Sequence, residues 1–256
     1  MKSLKGAINI WAVVGIVVVI LIGVASFFVI DGNNKATNFE SYDFYSVIEP
    51  TKDNGDIGDH VKGNAEAPVL IFEYADYQCP GCASINPKVN KAIEELDGKL
   101  AVVYRSFLLS YHQNGTAAAS AAEAAGLQGF WKPYMDKLFA EQSEWEYASA
   151  SDRTELFDKY FKDVSGDKGD VEKFNQDMAS EAVSKKISFD MGVGRRVGVE
   201  GTPAFYIDGK LIPWGSEGEI EINGKTISWE STRGGDEFVK LIKEIVETKL
   251  SGTESE

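Results

Sequence analysis

Cysteine, histidine and basic residues are all scarce in this sequence. Two cysteines and two histidines among 256 residues exclude a scaffold held by several disulfides and leave few ligands for a metal site. Lysine and arginine together number 26 against 40 aspartates and glutamates, which gives a net charge of −14. Because binding to phosphate backbones requires clustered basic residues, we expect no nucleic-acid partner.

Charged residues are also missing from an apolar run at residues 10–30. A helix of this length spans about 32 Å, enough to cross a hydrocarbon core of about 30 Å. Lys2 and Lys5 precede the run, so the positive-inside bias predicts a cytoplasmic N-terminus at residues 1–9, a transmembrane anchor in the cell membrane and an extracytoplasmic body. A cleaved signal peptide, with residues 23–25 as the cleavage site, is the alternative.

The exported part is predicted to consist of a linker, one folded domain and a short tail. Residues 31–58 are rich in Asn, Gly and Asp, which is typical of a flexible tether, with a short strand at 44–48. The folded domain is expected at 59–251 and the tail at 252–256.

Hydrophobic patterns predict an α/β fold for that domain. A buried strand at 68–74, a helix after Cys79 and a second strand at 100–107 form a β-α-β unit. Alanine-rich and aromatic helical patterns fill an inserted block at about 112–197.

Turn signals organise the remainder of the chain. Asp208-Gly209 and Asn223-Gly224 stand between short alternating segments and predict two β-hairpins. An apolar helical pattern over 236–250 predicts a final helix.

The two cysteines, Cys79 and Cys82, stand at CxxC spacing where the first strand leads into a helix. At this position the first thiol meets the free N–H groups and the positive dipole end of the helix, which stabilise a thiolate. Pro80 suits the first helical position, because its missing N–H costs no hydrogen bond there. The pattern predicts Cys79 as an exposed nucleophile and Cys82 as a buried resolving thiol.

Three other interpretations of this cysteine pair are open. The pair could form a structural disulfide, although so short a loop constrains the unfolded chain little. It could bind zinc or copper together with His60 and His112, although their spacing matches no zinc pattern. The cysteines could also be two free buried thiols.

Two separated motifs resemble the DsbA-like branch of the thioredoxin-fold thiol:disulfide oxidoreductases. They are IFEYADYQCPGC at 71–82, followed by Pro87, and GTPAFYIDGK at 201–210. The resemblance covers roughly residues 59–250. Between Cys82 and Pro203 the chain is about 70–80 residues longer than a plain thioredoxin fold needs, which matches the helical insertion of the DsbA-like branch.

The resemblance implies roles for four residues. Cys79 would take part in the mixed disulfide and Cys82 would resolve it. Pro203 would be cis and face the disulfide, leaving the adjacent backbone free to pair with a substrate strand. Glu73 would be a buried carboxylate that exchanges a proton with Cys82; the alternative is a carboxylate at a strand end that reaches solvent.

Further contacts with the substrate are expected from three neighbours of these residues. By position in the motifs they are Thr202, Pro80 and Gly81. No cofactor and no metal are expected. The Pro80-Gly81 dipeptide lacks the histidine of strongly oxidising DsbA proteins, and residues 213–235 have no counterpart in the minimal family pattern. His112 is predicted to be exposed to solvent.

The resemblance favours an anchored enzyme that oxidises cysteine pairs in exported protein substrates. A membrane redox partner would then reoxidise the Cys79–Cys82 pair. A reductase or isomerase of the same fold is the first alternative. A non-enzymatic binding module with CxxC as a metal ligand or a structural bridge is the second.

Overall fold

A mixed β-sheet with five strands lies at the centre of the computed structural model, which describes residues 37–232 and 236–253. The strands are β1 (His60–Gly63), β2 (Val69–Ala75), β3 (Leu100–Ser106), β4 (Ala204–Ile207), β5 (Lys210–Ile212), β6 (Gly218–Ile222) and β7 (Lys225–Trp229). The order in the sheet is β1-β3-β2-β4-β5, while β6 and β7 form a separate hairpin. The mixed α/β, thioredoxin-like architecture predicted from the sequence is present.

Helices flank the sheet and fill the long connection between β3 and β4. They are α1 (Pro80–Glu95), α2 (Gly115–Gly126), α3 (Trp131–Ala140), α4 (Gln142–Trp145), α5 (Ala150–Ser165), α6 (Val171–Met178), α7 (Glu181–Val197) and α8 (Glu237–Thr253). Helices α2 to α7 lie between β3 and β4. Their shared core is aromatic: the rings of Phe161 and Phe174 stack with centroids 4.4 Å apart.

The β-α-β unit predicted around the cysteines is confirmed. Strands β2 and β3 pair in parallel, with Glu73 opposite Tyr104, and α1 connects them. β2 is the middle strand of the five, and six of its seven residues are buried. The loop that carries Cys79 follows the carboxyl end of β2 and therefore emerges from the central strand of the sheet.

Both hairpin predictions are also confirmed. Asp208 and Gly209 have φ values of 47° and 76°, and Asn223 and Gly224 have values of 49° and 75°. Positive φ at both central residues is the geometry that matches the twist of the flanking strands. The first hairpin joins β4 to β5, and the second joins β6 to β7.

The flexible tether predicted for residues 31–58 is wrong from Phe39 onward, where the chain belongs to the same compact unit as the sheet. Phe39 stacks on Phe189 of α7 with ring centroids 5.3 Å apart. Residues 44–48 form a turn and coil rather than the predicted strand. Aromatic contacts across the chain override a local composition that is typical of linkers.

The buried side chain of Arg105, on β3, binds the backbone of the segment that precedes β1. Arg105 on β3 donates from Nη1 to the carbonyl oxygen of Phe44 at 2.6 Å and from Nη2 to that of Ser46 at 2.9 Å. The same guanidinium pairs with Asp59 at 2.6 Å. The segment therefore satisfies hydrogen bonds that the buried Arg105 could not otherwise make.

The predicted membrane anchor at residues 10–30 lies outside the residues that the structure describes. Within residues 37–232 and 236–253, the helices are too short or too polar to cross a membrane. Helix α8 extends to Thr253, so the predicted tail at 252–256 begins as helix, and residues 254–256 also lie outside the described part.

Candidate functional site

The loop between β2 and α1 is fixed by one buried carboxylate, Asp76. Oδ1 of Asp76 accepts from the backbone N–H of Gln78 at 2.9 Å. The backbone carbonyl oxygen of Asp76 accepts from the backbone N–H of Cys79 at 3.0 Å. Its Oδ2 accepts from the N–H of Leu109 at 2.8 Å and pairs with Nδ1 of His112 at 2.8 Å. His112 is thus mostly buried, and the prediction of a solvent-exposed histidine is wrong, because the loop after β3 folds back onto Asp76.

Cys79 occupies the N-cap position of α1, with Pro80 in the first turn. Its thiol donates to the carbonyl oxygen of Thr202 at 3.3 Å. Hydrogen bonding by the Cys82 thiol, opposed by partial burial and assisted by Thr202 and by backbone N–H groups of the first helical turn, lowers the pKa of Cys79 to about 5. The Thr202 hydroxyl is buried and has no partner in the described part of the chain, so it is available to donate to the thiolate.

Cys82 lies one turn further into the helix and is completely buried. Burial raises the pKa of its thiol well above the ordinary value, and hydrogen bonding to Cys79 and the negative charges of Cys79 and Glu73 raise it further. Both cysteines are free thiols and both are buried, with Cys79 7% exposed. The prediction of Cys79 as an exposed thiol is therefore wrong, because the carbonyl oxygen of Thr202 lies against its sulfur. The pair is therefore strongly asymmetric, with one thiol prepared to ionise and the other held neutral.

The loop before β4 closes over this pair from the opposite side. The peptide bond between Thr202 and Pro203 is cis, as the family resemblance implies. The close approach extends to the dipeptide: a Cβ added to Gly81 would lie 3.1 Å from Cδ of Pro203. The structure thus brings Cys79, Thr202, Pro203 and the Pro80-Gly81 dipeptide together at one end of the sheet.

Glu73 is fully buried on β2, which excludes the alternative of a carboxylate that reaches solvent. Its Oε2 accepts from Nζ of Lys62 on β1 at 2.9 Å, and Lys62 also donates to Oδ1 of Asn86 on α1 at 3.0 Å. Its Oε1 has no hydrogen-bond partner within the described residues. One carboxylate oxygen of Glu73 is thus held by Lys62, and the other has a free acceptor position among the described residues.

A polar chain continues from this pair towards the surface. The amide of Asn86 donates to Oδ1 of Asp136 on α3 at 2.9 Å. Oδ2 of Asp136 pairs with Nζ of Lys132 at 2.8 Å, and both of these side chains are partly exposed. The buried carboxylate is therefore connected to solvent through hydrogen-bonding side chains.

The two histidines are occupied elsewhere. Nε2 of His60 lies 2.8 Å from Oε2 of Glu123, and its ring stacks on Trp131 with centroids 4.4 Å apart. His112 pairs with Asp76 as described above. No group of three or more His, Cys, Asp or Glu side chains in residues 37–232 and 236–253 is arranged to hold a metal ion, so the metal interpretation of the CxxC pair gains no support.

Two residues near the cysteines are not predictable from the sequence patterns. Lys62 is a single lysine in a short strand, and nothing local indicates that it is buried against Glu73. Trp214 packs against Gly81 from the segment before the second hairpin. A tryptophan between Pro213 and Gly215 is an unusual loop residue, and this was the only available signal.

Comparisons with known proteins agree with this geometry. A family model described as thioredoxin matches residues 56–242. The structure of oxidised BdbD from Bacillus subtilis is similar with a TM-score of 0.57 and 20% identity, covering 81% of this chain and 99% of that one. Wolbachia pipientis α-DsbA1 is similar with a TM-score of 0.55 and 24% identity, covering 76% and 94%.

Two further similarities are more partial. A thioredoxin-like oxidoreductase from Silicibacter pomeroyi is 26% identical with a TM-score of 0.50, covering 60% of this chain and 83% of that one. A Na(+)/H(+) antiporter, NhaA 1 of Salinispora arenicola, is 33% identical over 154 residues, which is 59% of this chain but 22% of the antiporter. The chain therefore spans about a quarter of the length of such relatives, and their antiport function is not transferred to it.

Proposed function

The chain belongs to the thioredoxin family and has a DsbA-like fold, and we propose that Cys79 and Cys82 are the redox-active pair of this thiol:disulfide oxidoreductase. The observation that carries the proposal is the asymmetry of the two thiols. Cys79, at the start of α1, has a pKa of about 5, whereas burial raises the pKa of Cys82. A structural cysteine pair needs no such difference.

The reaction in the oxidising direction begins from the Cys79–Cys82 disulfide. A substrate thiolate attacks Sγ of Cys79, the bond between the two cysteines breaks, and Cys82 leaves as a thiolate that takes up a proton. A second substrate thiolate then attacks the substrate sulfur of the mixed disulfide. A substrate disulfide forms, Cys79 leaves as a thiolate, and two electrons remain on the reduced pair.

The low pKa of Cys79 supports the oxidising direction, because Cys79 is the group that leaves when the substrate disulfide forms. A thiol of low pKa leaves more readily, and stabilising its thiolate stabilises the reduced form of the pair. A pKa of about 5 falls between those of the nucleophilic cysteines of thioredoxin, about 7, and DsbA, about 3.5. We therefore propose that the protein oxidises exported proteins rather than reducing them.

Glu73 is proposed to exchange the proton of Cys82. Its negative charge acts on the buried thiol, and its unpartnered Oε1 gives it one free acceptor among the described residues. Lys62 holds the other oxygen and is itself oriented by Asn86, whose amide donates to the partly exposed Asp136. The fully buried Cys82 thiol needs such a proton acceptor before it can attack as a thiolate, because a charge there is costly.

The membrane anchor at residues 10–30 belongs to the same proposal. It would place the redox pair outside the cytoplasm, where disulfides persist, and next to a membrane protein whose own disulfide accepts the two electrons. The mature N-terminus tests it. A chain that begins at residue 1 and sediments with membranes supports the anchor, whereas a soluble chain that begins near Ser26 contradicts it.

Trapping of mixed disulfides tests the redox role of the pair. In the Cys82→Ser variant, the Cys79 thiolate attacks a substrate disulfide, one substrate thiolate leaves, and no Cys82 thiol is present to cleave the resulting mixed disulfide. We therefore expect this variant to accumulate thiol-sensitive adducts with exported proteins that contain disulfides. The Cys79→Ser variant is the matched control and should form none. Equal adducts with both variants, or oxidation of reduced substrate by Cys79→Ser, would contradict the assignment of Cys79 as the reacting thiol.

A further inference from the structure

Gly81 lies between Pro80 and Cys82. Other residues already fill the space that a side chain at this position would need. An ideal Cβ built on Gly81 would lie 3.2 Å from Cζ3 and 3.3 Å from Cη2 of Trp214. These contacts are tighter than ordinary van der Waals separations, as is the 3.1 Å approach to Pro203. The six-membered ring of one tryptophan thus covers the position where a side chain at residue 81 would stand.

Trp214 reaches the cysteines from the segment between β5 and β6, and this segment is held firmly. The backbone N–H of Gly215 donates to Oγ1 of the buried Thr232 at 2.7 Å. Nε1 of Trp229 donates to the carbonyl oxygen of Ser216 at 3.0 Å. The indole itself packs against the core cluster formed by α1, the sheet and α8, so its position beside Gly81 does not depend on a mobile loop.

Hydrogen bonding does not explain why a tryptophan stands there. Nε1 of Trp214 is buried and has no partner in the part of the chain that the structure describes. A buried donor without an acceptor costs free energy, so the contribution of this residue lies in the ring. The ring carbons lie on Gly81, two residues after Cys79, and Pro203 approaches the same glycine.

We propose that Trp214 is a positioning residue of the redox site and forms, with Gly81 and Pro203, the wall that receives the peptide around a substrate cysteine. The proposal rests on the redox role of Cys79 and Cys82. Trp214, in the segment that follows β5, places its ring where a side chain of residue 81 would otherwise lie. An apolar ring at this point selects peptide thiols, whose neighbouring residues can pack on it, over small thiols, which reach only Cys79.

The test compares a peptide substrate with a small dithiol. Rates of reduction of the oxidised full chain are measured with a reduced cysteine-containing peptide that carries leucine beside its cysteine, and with dithiothreitol. Trp214→Ala should lower the rate with the peptide about 10-fold, as for the loss of an aromatic anchor worth a tenfold change in binding. The rate with dithiothreitol should change less than about 2-fold. Trp214→Phe should retain most of the peptide rate.

Leu211→Ala is the matched control, since Leu211 is an exposed apolar residue on β5, three positions before Trp214. Both of its rates should equal those of the unaltered protein. Equal losses with peptide and dithiothreitol in Trp214→Ala, or no loss with either, would overturn the proposal. An unaltered protein whose cysteines do not react even with dithiothreitol would instead overturn the redox pair, and the role of Trp214 with it.

A pair of substitutions tests the contact itself. Gly81→Ser should slow the reaction with the peptide, because its side chain displaces the indole. In a chain that also carries Trp214→Ala, the same substitution should slow the reaction much less than it does alone, because only the close approach to Pro203 remains. Independent, additive losses from the two substitutions would show that residues 81 and 214 do not act together and would contradict the proposed wall.

Discussion

Cys79 differs from an ordinary thiol in the pH range over which it is ionised. Its pKa of about 5 results from hydrogen bonding by Cys82, Thr202 and backbone N–H groups, which outweighs partial burial. Because only the thiolate is nucleophilic, the reaction of the reduced protein with iodoacetamide should be at its plateau above about pH 7. It should fall through a midpoint near pH 5 as Cys79 is protonated.

The Cys82→Ala variant is the control for this pH profile. It removes the largest stabilising hydrogen bond of the Cys79 thiolate, so the midpoint should move upwards. In the unaltered protein Cys82 should resist alkylation throughout the range, because it is completely buried. A midpoint near 8.5, the value of an unperturbed cysteine, would show that the environment of Cys79 does not favour the thiolate.

The roles of some single residues can be predicted from the sequence, whereas the positions of others cannot. The CxxC spacing and the Thr202-Pro203 motif are enough to propose the reacting groups, because their chemistry is local to a helix start and a loop. The position of His112 is not predictable, since its partner Asp76 is 36 residues away. The contact between Trp214 and Gly81 is similarly invisible, because it depends on a fold that the local pattern does not specify.

At the scale of strands, two elements combine to build the proton site. β1 and β2 both pair with β3, and this arrangement brings Lys62 against Glu73. We expect Glu73→Gln to slow the resolution of a mixed disulfide at neutral pH about 10-fold or more, in the range of general acid-base contributions. Stopped-flow kinetics with a preformed mixed disulfide at Cys79 measures this step. Alkylation of Cys79 should remain close to normal.

Glu123→Gln is the matched control for that experiment. Glu123 is also a buried carboxylate with a basic partner, His60, but it belongs to the inserted helices. Its replacement should affect stability without a specific effect on resolution. The same slowing in both variants would indicate a general loss of folding, and unchanged kinetics in Glu73→Gln would remove this residue from the mechanism.

The elements themselves were predictable to different degrees. The β-α-β unit and the two hairpins follow from short-range rules, namely a buried strand, a helix start at Cys79-Pro80 and turn dipeptides that favour positive φ. The segment from Phe39 to residue 58 was not predictable. Its polar composition indicates a tether, yet the buried guanidinium of Arg105 binds its backbone, and this interaction spans about sixty residues of sequence.

At the scale of the whole molecule, the helical insertion and the sheet meet at the cysteines. Asp76 connects the CxxC loop to the segment that leads into α2, Trp214 covers Gly81 from the other side, and Cys82 lies in the core shared with the inserted helices. This enclosure accounts for a buried resolving thiol beside a reactive one. Together with the pKa of about 5 for Cys79, it supports the proposed oxidising pair over a reductant or an inert structural bridge.

The reduction potential of the Cys79–Cys82 pair tests this account most directly. The full chain in detergent is equilibrated with defined ratios of reduced and oxidised glutathione, and thiol alkylation reports the reduced fraction. The account predicts a potential between about −200 and −120 mV, on the oxidising side of the thioredoxin value of about −270 mV. A value near −270 mV would contradict the oxidising direction, and one below about −300 mV would identify a structural disulfide and contradict the redox pair itself.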